Sequence, residues 1–581
     1  MSKRNTGFAR QKPQEETGRV IKDWGGKISL ALIYPNHYRI GMSSLGFQVV
    51  YGLLNRKQQV VAERVFLPDP NGSSLPQEAG RGLRSLESSS PLLRFDILAF
   101  SLSFENDFPN ILKMLELGRI PLLAEERDES SPLVMAGGII TFLNPEPLAP
   151  FFDFFLLGEA EAVLDTFIDR LLDLKHQKIG KKEKLKELAD KVPGLYVPSF
   201  YESRYHGDGI LAGMEPVEKG IPDKISIARH AFGVDEVTCA EFFAPDTELG
   251  DRILMELGRG CSRSCRFCAA GYVYRPPRMQ SETALLNCIE QKIVENHAFG
   301  LLSASVLDTP GIQKIMTAII AKQRQFSISS VRADALTAEI ATCLQQAGQK
   351  RLALAPEAGS ERLRRVINKH LSQEQILEAA RLIAEAGAFS PRLYFLMGLP
   401  TENQEDMEAI LDLVKRFKHQ MIRESRARGR IGMIRLSVNC FIPKPFTPFQ
   451  WFPMENGEIL KTRQKWLKKA FEKEGGTAIS FDVPRWAYVQ ALLARGDRRV
   501  SKMLLLAHQN QGQWKQAFKQ SEINPDFFVY RTKELDEVLP WDFIDHGIRK
   551  EYLQKEYRLA LKEEESEICR PGECVKCGVC I

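Results

Sequence analysis

The sequence predicts an α/β protein made of several domains. Its 581 residues exceed what one hydrophobic core normally supports, so we expect about three or four folding units. Short apolar runs alternate with amphipathic stretches over most of the chain, a pattern typical of parallel sheets covered by helices. Past Phe481 the pattern becomes mainly helical. The expected order is a doubly wound sheet, a second set of β/α units and a small helical C-terminal region.

The first sheet is predicted between residues 21 and 197, after a polar segment at 1–20 that we expect to be disordered. Apolar runs predict strands at 28–34, 96–102, 133–136 and 154–157. The last two runs end at Gly137-Gly138 and Gly158-Glu159. Because glycine permits close backbone approach, we expect these two loops to lie near a ligand.

The second set of β/α units is predicted between residues 249 and 480. Residues 198–248 connect it to the first sheet, residues 481–565 form the helical region, and residues 566–581 form a cysteine-rich tail. Six strands are predicted, at 253–257, 301–306, 327–331, 352–355, 392–396 and 434–438. In such units the catalytic residues follow the carboxyl ends of the strands.

Composition limits the compartment more than the function. The formal charge of +5 is too small to indicate nucleic acid by itself. Eleven cysteines, an odd number gathered mostly in two groups, do not form a disulfide framework and favour a reducing compartment. Neither a signal peptide nor an apolar run of membrane-spanning length is evident, so we expect a cytoplasmic protein without a membrane partner.

Three closely spaced cysteines are the strongest chemical signal in the sequence. Cys261, Cys265 and Cys268 follow the first strand of the second set. Their spacing fits three ligands of a four-iron cluster whose fourth iron is open to a small molecule. The alternative is a structural zinc site, which usually needs a fourth cysteine or histidine nearby. The nearest candidates, Cys239 and Cys288, lie far from this short loop in sequence.

The pattern C-x3-C-x2-C, with Phe267 between the last two cysteines, resembles the signature of the radical S-adenosylmethionine (SAM) superfamily. The resemblance implies a partial TIM-type (β/α)6 barrel, a [4Fe-4S] cluster and SAM. It further implies that the methionine end of SAM chelates the open iron and that one electron yields a 5′-deoxyadenosyl radical. Cys261, Cys265 and Cys268 are then both the metal ligands and the catalytic residues.

The first sheet resembles the flavodoxin-like, cobalamin-binding-type domain found ahead of many radical SAM barrels. Domains with an axial histidine carry D-x-H-x-x-G, whereas residues 35–41 lack the aspartate and place the glycine one step late. We therefore expect His37 to be an ordinary loop residue. The resemblance leaves open whether the domain holds cobalamin without a protein ligand or has lost the cofactor.

Polar residues after the predicted strands are candidates for SAM contacts. By the resemblance, one group faces the methionine end, the segment around residue 357 holds ribose and methionine, and a glycine loop approaches the adenine. These residues are Ser303, Ser305, Asp308, Arg332, Glu357, Ser360 and Gly398. For Glu357 the alternative role is a carboxylate that stabilises the start of a helix.

The tail carries a second group of cysteines, Cys569, Cys574, Cys577 and Cys580. Their spacing resembles ferredoxin-type ligation, which favours an auxiliary iron-sulfur cluster over structural zinc. A disordered, redox-active tail is the third interpretation. Pro571, Gly572 and Gly578 permit the tight turns that either metal would require.

The sequence therefore predicts a radical SAM enzyme acting on an unidentified substrate and reduced by a donor such as flavodoxin or ferredoxin. Two narrower hypotheses are a cobalamin-dependent methylase and an RNA-modifying enzyme. RNA is suggested only by basic residues between 415 and 430 and at Arg495, Arg498, Arg499 and Lys502, and a solvated helix face is the preferred interpretation of the first group. A non-enzymatic electron carrier or redox sensor is the remaining alternative, which the predicted SAM pocket disfavours.

Overall fold

The computed structural model describes residues 16–69, 82–175, 177–245, 247–250, 252–292, 297–387, 389–425 and 432–580. Most of the segment predicted to be disordered, residues 1–15, lies outside this set. Arg426, Arg428 and Arg430 of the basic run also lie outside it. All predicted metal ligands and SAM-binding candidates fall within the described residues.

The N-terminal domain is a six-stranded sheet with the strand order 2-1-3-4-5-6. The first five strands are parallel and the sixth is antiparallel to its neighbour. This order contains the flavodoxin-like arrangement 2-1-3-4-5, so the predicted doubly wound sheet is confirmed. The strands are β1 (Ile28–Tyr34), β2 (Val60–Phe66), β3 (Ile97–Ser101), β4 (Leu133–Gly137), β5 (Phe154–Leu156) and β6 (Leu195–Tyr196).

Helices cover this sheet because each presents apolar residues to strands that are themselves almost wholly buried. They are α1 (Tyr38–Gly41), α2 (Leu45–Arg56), α3 (Phe108–Leu117), α4 (Ala160–Lys175) and α5 (Lys181–Lys191). A hairpin of β7 (Tyr201–Tyr205) and β8 (Leu211–Pro216) follows, and then β9 (Ile225–Ser226). These three strands occupy the predicted connecting region.

The second set of β/α units forms two parallel sheets, β10-β13-β14 and β15-β16-β17-β18. A single parallel bridge between Val331 and Leu354 joins them, and the described residues show no closed barrel. The predicted partial barrel is confirmed, with a seventh strand that the sequence analysis did not include. The strands are β10 (Arg252–Glu256), β13 (Ala298–Leu302), β14 (Phe326–Ile328), β15 (Arg351–Glu357), β16 (Ser390–Met397), β17 (Ile434–Cys440) and β18 (Thr477–Phe481).

The strands of the barrel alternate with helices on its outer face. The helices are α6 (Ala270–Val273), α7 (Glu282–Lys292), α8 (Ile312–Ala321), α9 (Ala338–Gln346), α10 (Glu361–Val366), α11 (Gln373–Ala386), α12 (Gln404–Glu424) and α13 (Gly457–Glu472). Between β10 and α7, a two-residue ribbon pairs β11 (Gly258–Arg259) with β12 (Arg278–Met279). The cysteine loop lies inside this ribbon.

The C-terminal region is mainly helical, as predicted. Its elements are α14 (Pro484–Arg495), α15 (Val500–Gln509), α16 (Trp514–Gln520), α17 (Asp526–Val529), β19 (Ile544–Asp545) and α18 (Lys550–Leu561). β19 pairs with β9, so this region also touches the connecting segment. Among the described residues, no helix combines the length and the hydropathy that crossing a membrane would require.

Candidate active site

The cysteine loop begins beyond the carboxyl end of β10, where catalytic residues of β/α enzymes lie. It turns at Gly260, whose φ is +88°. A Cβ at Gly260 would lie 2.7 Å from the carbonyl oxygen of Tyr274, so glycine is needed for both its conformation and its size. The loop therefore starts from a fixed position at the edge of the sheet.

The three thiols of this loop lie close enough to one another for their charges to interact. Cys265 is buried, and Cys261 and Cys268 are half-buried. Burial raises the pKa of Cys261, and burial together with the charges of Cys265 and Cys261 raises the pKa of Cys268 to about 12. The backbone of Arg263 donates a hydrogen bond to Cys261, and those of Ala270 and Gly271 donate to Cys268. The loop thus supplies convergent sulfurs and N–H donors aimed at them.

This arrangement differs from a site for one ion. No three His, Cys, Asp or Glu side chains within the described parts of the chain lie close enough to hold a single metal ion. A zinc ion needs ligand sulfurs about 2.3 Å from one centre. In a four-iron cube each thiolate binds its own iron atom, so the sulfurs stand farther apart. Three neighbouring thiols with backbone donors fit that donor set.

Arg266 anchors the loop from within. Its side chain is fully buried and donates to the carbonyl oxygens of Val366, at 2.9 Å, and Glu564, at 2.9 Å. Its Nε lies 3.1 Å from a carboxylate oxygen of Glu556 on α18. Nearby, Arg275 donates to the Ser264 hydroxyl over 2.7 Å. The loop is therefore held by α10 and by the C-terminal region, which the sequence analysis did not predict.

Glu357 lies at the carboxyl end of β15 with a φ of +67°. Lys369 Nζ donates to its carboxylate over 3.2 Å, and the same Nζ lies 6.0 Å from the centre of the Phe267 ring. Burial alone would lower the pKa of Lys369, but the charges of Glu357 and Cys265 raise it above its ordinary value. Glu357 and Phe267 therefore lie beside the cysteine loop, linked by a lysine that the sequence analysis missed.

Asp308 also lies next to the loop. Arg263 Nε donates to its carboxylate over 2.9 Å, and Ser305 Oγ donates over 2.7 Å. Burial opposes the charged form, but these two hydrogen bonds hold the pKa of Asp308 below its ordinary value. The Ser303 hydroxyl in turn accepts from the Ser305 backbone over 3.3 Å. The structure thus brings all three residues together next to the loop.

Arg332 connects the residues around Asp308 with those around Glu357. Its Nε lies 2.9 Å from Asp334, which is also 3.4 Å from Arg263. Its Nη2 donates to the carbonyl oxygens of Lys369, at 3.0 Å, and His370, at 3.2 Å. Arg332 therefore ties the end of β14 to the residues around Glu357.

Ser360 and Gly398 have internal contacts of their own. Ser360 Oγ accepts from the Leu363 backbone over 3.1 Å, which caps α10, and it donates to Asp406. Gly398 has a φ of +83°, and its N–H donates to Glu402 over 3.0 Å. Burial raises the pKa of Glu402 to about 7. The predicted SAM contacts of Ser360 and Gly398 stay predictions.

A cavity of about 520 Å³ separates the cysteine loop from the carboxyl edge of the N-terminal sheet. Most of its lining is apolar, and Gly137, Gly158, Gly260, Tyr274 and Ser303 are among the residues that form it. The described residues that line it include no histidine. Both domains therefore enclose one space next to the thiols.

Two glycines of the cavity have a structural explanation. A Cβ at Gly138 would lie 2.4 Å from the Leu102 carbonyl oxygen, and one at Gly158 would lie 2.1 Å from the Ala228 carbonyl oxygen. Both have positive φ, so the packing of neighbouring backbone requires them. His37 lies outside the cavity lining, with Nδ1 3.2 Å from the Leu67 carbonyl oxygen. That contact agrees with its expected role as an ordinary loop residue.

Ion pairs join the two domains at the cavity. Arg259, two residues before Cys261, lies 2.8 Å from both Glu159 and Glu161. Arg278 on β12 lies 2.6 Å from Glu159. These pairs fix the N-terminal sheet against the ribbon that carries the cysteine loop.

Several of the described basic residues considered for RNA have partners within the protein. On α12, Arg416 lies 2.8 Å from Asp412 and Arg423 lies 2.9 Å from Glu424. Arg495 is fully buried, Arg498 lies 3.0 Å from Glu146, and Arg499 lies 2.6 Å from Asp497. In the C-terminal cluster, these three arginines therefore stabilise the fold rather than present an open basic surface.

The fold and the loop together define a β/α enzyme that binds an iron-sulfur cluster. Residues 255–414 match the family described as the Radical SAM superfamily, and residues 46–198 match the family described as Radical SAM proteins, N-terminal. These two matches identify radical SAM domains in the chain, which is a radical SAM enzyme, as the cysteine spacing predicts. Members of that superfamily use a [4Fe-4S] cluster and SAM.

The chain is 29% identical over 481 residues to the uncharacterized protein MJ0966 of Methanocaldococcus jannaschii, covering 82% of this chain and 90% of that protein. Among solved structures it is similar to the radical SAM methyltransferase TsrM of Kitasatospora setae with cobalamin and a [4Fe-4S] cluster bound, with 14% identity, a TM-score of 0.46 and coverage of 74% and 80%. It is also similar to the cobalamin-dependent SAM radical enzyme OxsB, with 15% identity, a TM-score of 0.44 and coverage of 88% and 65%.

Proposed function

We propose that the protein cleaves SAM reductively at a cluster bound by Cys261, Cys265 and Cys268 and directs the resulting 5′-deoxyadenosyl radical at a substrate in the interdomain cavity. The observation that carries this proposal is the position of the thiols. They lie between a set of charged side chains on one side and a mostly apolar cavity on the other. When bound, the cluster supplies the electron and an open iron.

The charged side chains suit the polar end of SAM. The Asp308 carboxylate is an acceptor for the methionine amino group, and Arg332 is a donor for the methionine carboxylate. Glu357 is an acceptor for the ribose hydroxyls. Each of these groups already has an internal partner, so it is held in place before the ligand arrives.

The apolar cavity suits the group that receives the radical. Few polar side chains line it, and the two domains enclose it on opposite sides. A radical needs such shielding from solvent and from unintended hydrogen donors. The substrate class we propose is therefore one that presents an apolar C–H group to the cysteine loop.

A corrinoid methyl carrier is the second candidate occupant of the cavity. The space lies at the carboxyl edge of a 2-1-3-4-5 sheet, where flavodoxin-like folds take their cofactors. The described lining offers no histidine, so a corrinoid would bind there without a lower ligand from the protein. Absorbance of anaerobically purified protein, after incubation with hydroxocobalamin and gel filtration, tests this candidate. Protein that elutes without corrinoid would exclude it.

Reductive cleavage is tested with anaerobically reconstituted protein, dithionite and SAM. We expect 5′-deoxyadenosine from the wild type and a loss of at least about a thousandfold in Cys265→Ala, because that variant loses a cluster ligand. Cys288→Ser on α7 is the matched control and keeps the wild-type rate. SAM left intact by fully loaded wild-type protein would refute the proposal.

A further inference from the structure

The tail cysteines form a second group of neighbouring thiols. Cys577 is buried, and Cys569, Cys574 and Cys580 are half-buried. Burial raises the pKa of Cys569, and the charges of the other three thiols act in the same direction. The Lys576 backbone N–H lies 3.4 Å from the Cys574 sulfur. The tail therefore brings four sulfurs and a backbone donor to one place.

Positive groups surround these sulfurs. Arg549 lies just before α18. Its side chain donates a hydrogen bond to the carbonyl oxygen of Val575 over 2.6 Å, and its backbone N–H donates one to the carbonyl oxygen of Cys577 over 2.9 Å. Arg229 and Arg275 lie close enough to Cys577 to interact with its charge, although burial lowers the pKa of Arg229 overall. Four thiolates around a metal centre carry net negative charge, which these arginines offset.

The tail group touches the cysteine loop. The backbone N–H of Cys569 donates to the carbonyl oxygen of Ser262 over 2.7 Å, and Ser262 immediately follows Cys261. Arg275 bridges the two groups, because it donates to Ser264 and also lowers the pKa of Cys569 against the effect of burial. A direct backbone hydrogen bond and the Arg275 side chain thus connect the two groups of cysteines.

The outer side of the tail group faces solvent. The side chain of Val575 is 60% exposed and that of Ile568 is 38% exposed. Each group has one buried thiol, but residues 570–573, 575 and 576 around the tail thiols are exposed, whereas no residue of 261–268 is exposed. An external electron donor therefore reaches the tail group more easily than the central loop.

We propose that Cys569, Cys574, Cys577 and Cys580 bind a second [4Fe-4S] cluster that relays single electrons from an external donor to the central cluster. The relay rests on the proposed function, since it delivers the electron that SAM cleavage consumes. A low-potential one-electron protein donor, of the flavodoxin or ferredoxin class, is oxidised by one electron. The tail cluster is reduced and then reoxidised, and the central cluster gains the electron, with no bond or proton change at the tail.

The test compares two electron sources in anaerobically reconstituted full-length protein. Dithionite is small and reduces the central cluster directly, whereas reduced flavodoxin is a protein that must use the exposed side. In Cys574→Ala and Cys580→Ala, we expect iron to fall from about eight to about four per chain. Cleavage of SAM with dithionite stays within about twofold of wild type, while cleavage with flavodoxin falls by at least about tenfold. The control variant Cys288→Ser keeps the wild-type iron content and the wild-type cleavage rates with both reductants.

Electron paramagnetic resonance adds a readout that does not depend on turnover. Reduced wild type is expected to show two interacting cluster signals, and the tail variants one signal without that interaction. Four remaining irons together with normal dithionite activity show that the variants fold. Zinc in the wild-type tail, unchanged flavodoxin-driven cleavage, or equal losses with both reductants would overturn the relay. Wild type that fails to cleave SAM with dithionite would instead refute the proposed function.

Discussion

The two sides of the cysteine loop differ in polarity: one carries charged side chains that already have hydrogen-bond partners, and the other is a mostly apolar cavity. On the polar side, Asp308, Arg332 and Glu357 each have an internal hydrogen-bond partner. On the other side lies a mostly apolar cavity whose walls come from two domains. A ligand on the first side must compete with or add to existing bonds, so fit there depends on charge and direction. A ligand on the second side gains mainly from burial of apolar surface.

The largest expected effect concerns Arg266, the buried side chain that anchors the cysteine loop. Arg266→Ala leaves Glu556 as a buried carboxylate without its partner, so we expect a loss of about 3–5 kcal/mol in the free energy of unfolding. Urea denaturation of the anaerobic protein measures it. Arg365→Ala, next to Val366 on the exposed face of α10, is the control and should change stability by less than about 0.5 kcal/mol. Equal losses in both variants would mean that Arg266 does not anchor the loop.

The next effect distinguishes a SAM-binding role of Glu357 from the role of a carboxylate that only stabilises the start of a helix. Glu357→Gln removes a charged acceptor, and we expect SAM to bind about tenfold more weakly. Equilibrium dialysis with the oxidised, cluster-loaded protein measures this. Glu361→Gln, at the start of α10, tests the alternative that a helix-start carboxylate is all that matters. If both variants bind SAM like the wild type, Glu357 has only a structural role.

A substitution in the apolar cavity is expected to leave SAM cleavage intact but to abolish uptake of the molecule that occupies the cavity. Ala160→Phe places a ring in the cavity at the start of α4. We expect dithionite-driven cleavage of SAM without substrate to stay within about twofold of wild type, because the polar side is untouched. Uptake of hydroxocobalamin or of a later-identified substrate should be lost, as measured by gel filtration. Unimpaired uptake would place the occupant elsewhere.

The smallest expected effect concerns the contact between the domains. Arg259 pairs with Glu159 and Glu256 as well as with Glu161, so Glu161→Gln leaves two of its three carboxylate partners. We expect a loss of no more than about 1 kcal/mol, seen as a shift of about 1 °C in calorimetry. A much larger loss would show that this one pair carries the domain contact.

Strand pattern was enough to predict most of the fold, and cysteine spacing was enough to predict a radical SAM enzyme, whereas the cluster ligands stay predictions. β2 was missed because Glu63 and Arg64 interrupt its apolar run. Both side chains are buried, which is possible because Glu63 accepts a hydrogen bond from Trp24 and Arg64 forms an ion pair with Glu87. Partners so far away in sequence leave no local signal. The predicted strand at 301–306 in fact ends at Leu302, which places Ser303 and Ser305 beyond it.

The site was predicted less completely, for the same physical reason. Glu357 follows a recognisable strand end, whereas its partner Lys369 lies after a further helix and carries no pattern. Glycines were recognised as special positions, but only the structure shows that backbone packing requires Gly138 and Gly158, which also line the cavity. The contact between Cys569 and Ser262 joins segments that are remote in sequence, so only the folded structure reveals it.

That contact has a consequence for biogenesis. The ribosome produces the segment around Ser262 well before the segment around Cys569, so a nascent chain displays its central thiols without the covering tail. Iron-sulfur carriers then have access to the loop during translation. Once the tail emerges and docks, that route of delivery narrows, so we expect the central cluster to be loaded before the proposed tail cluster.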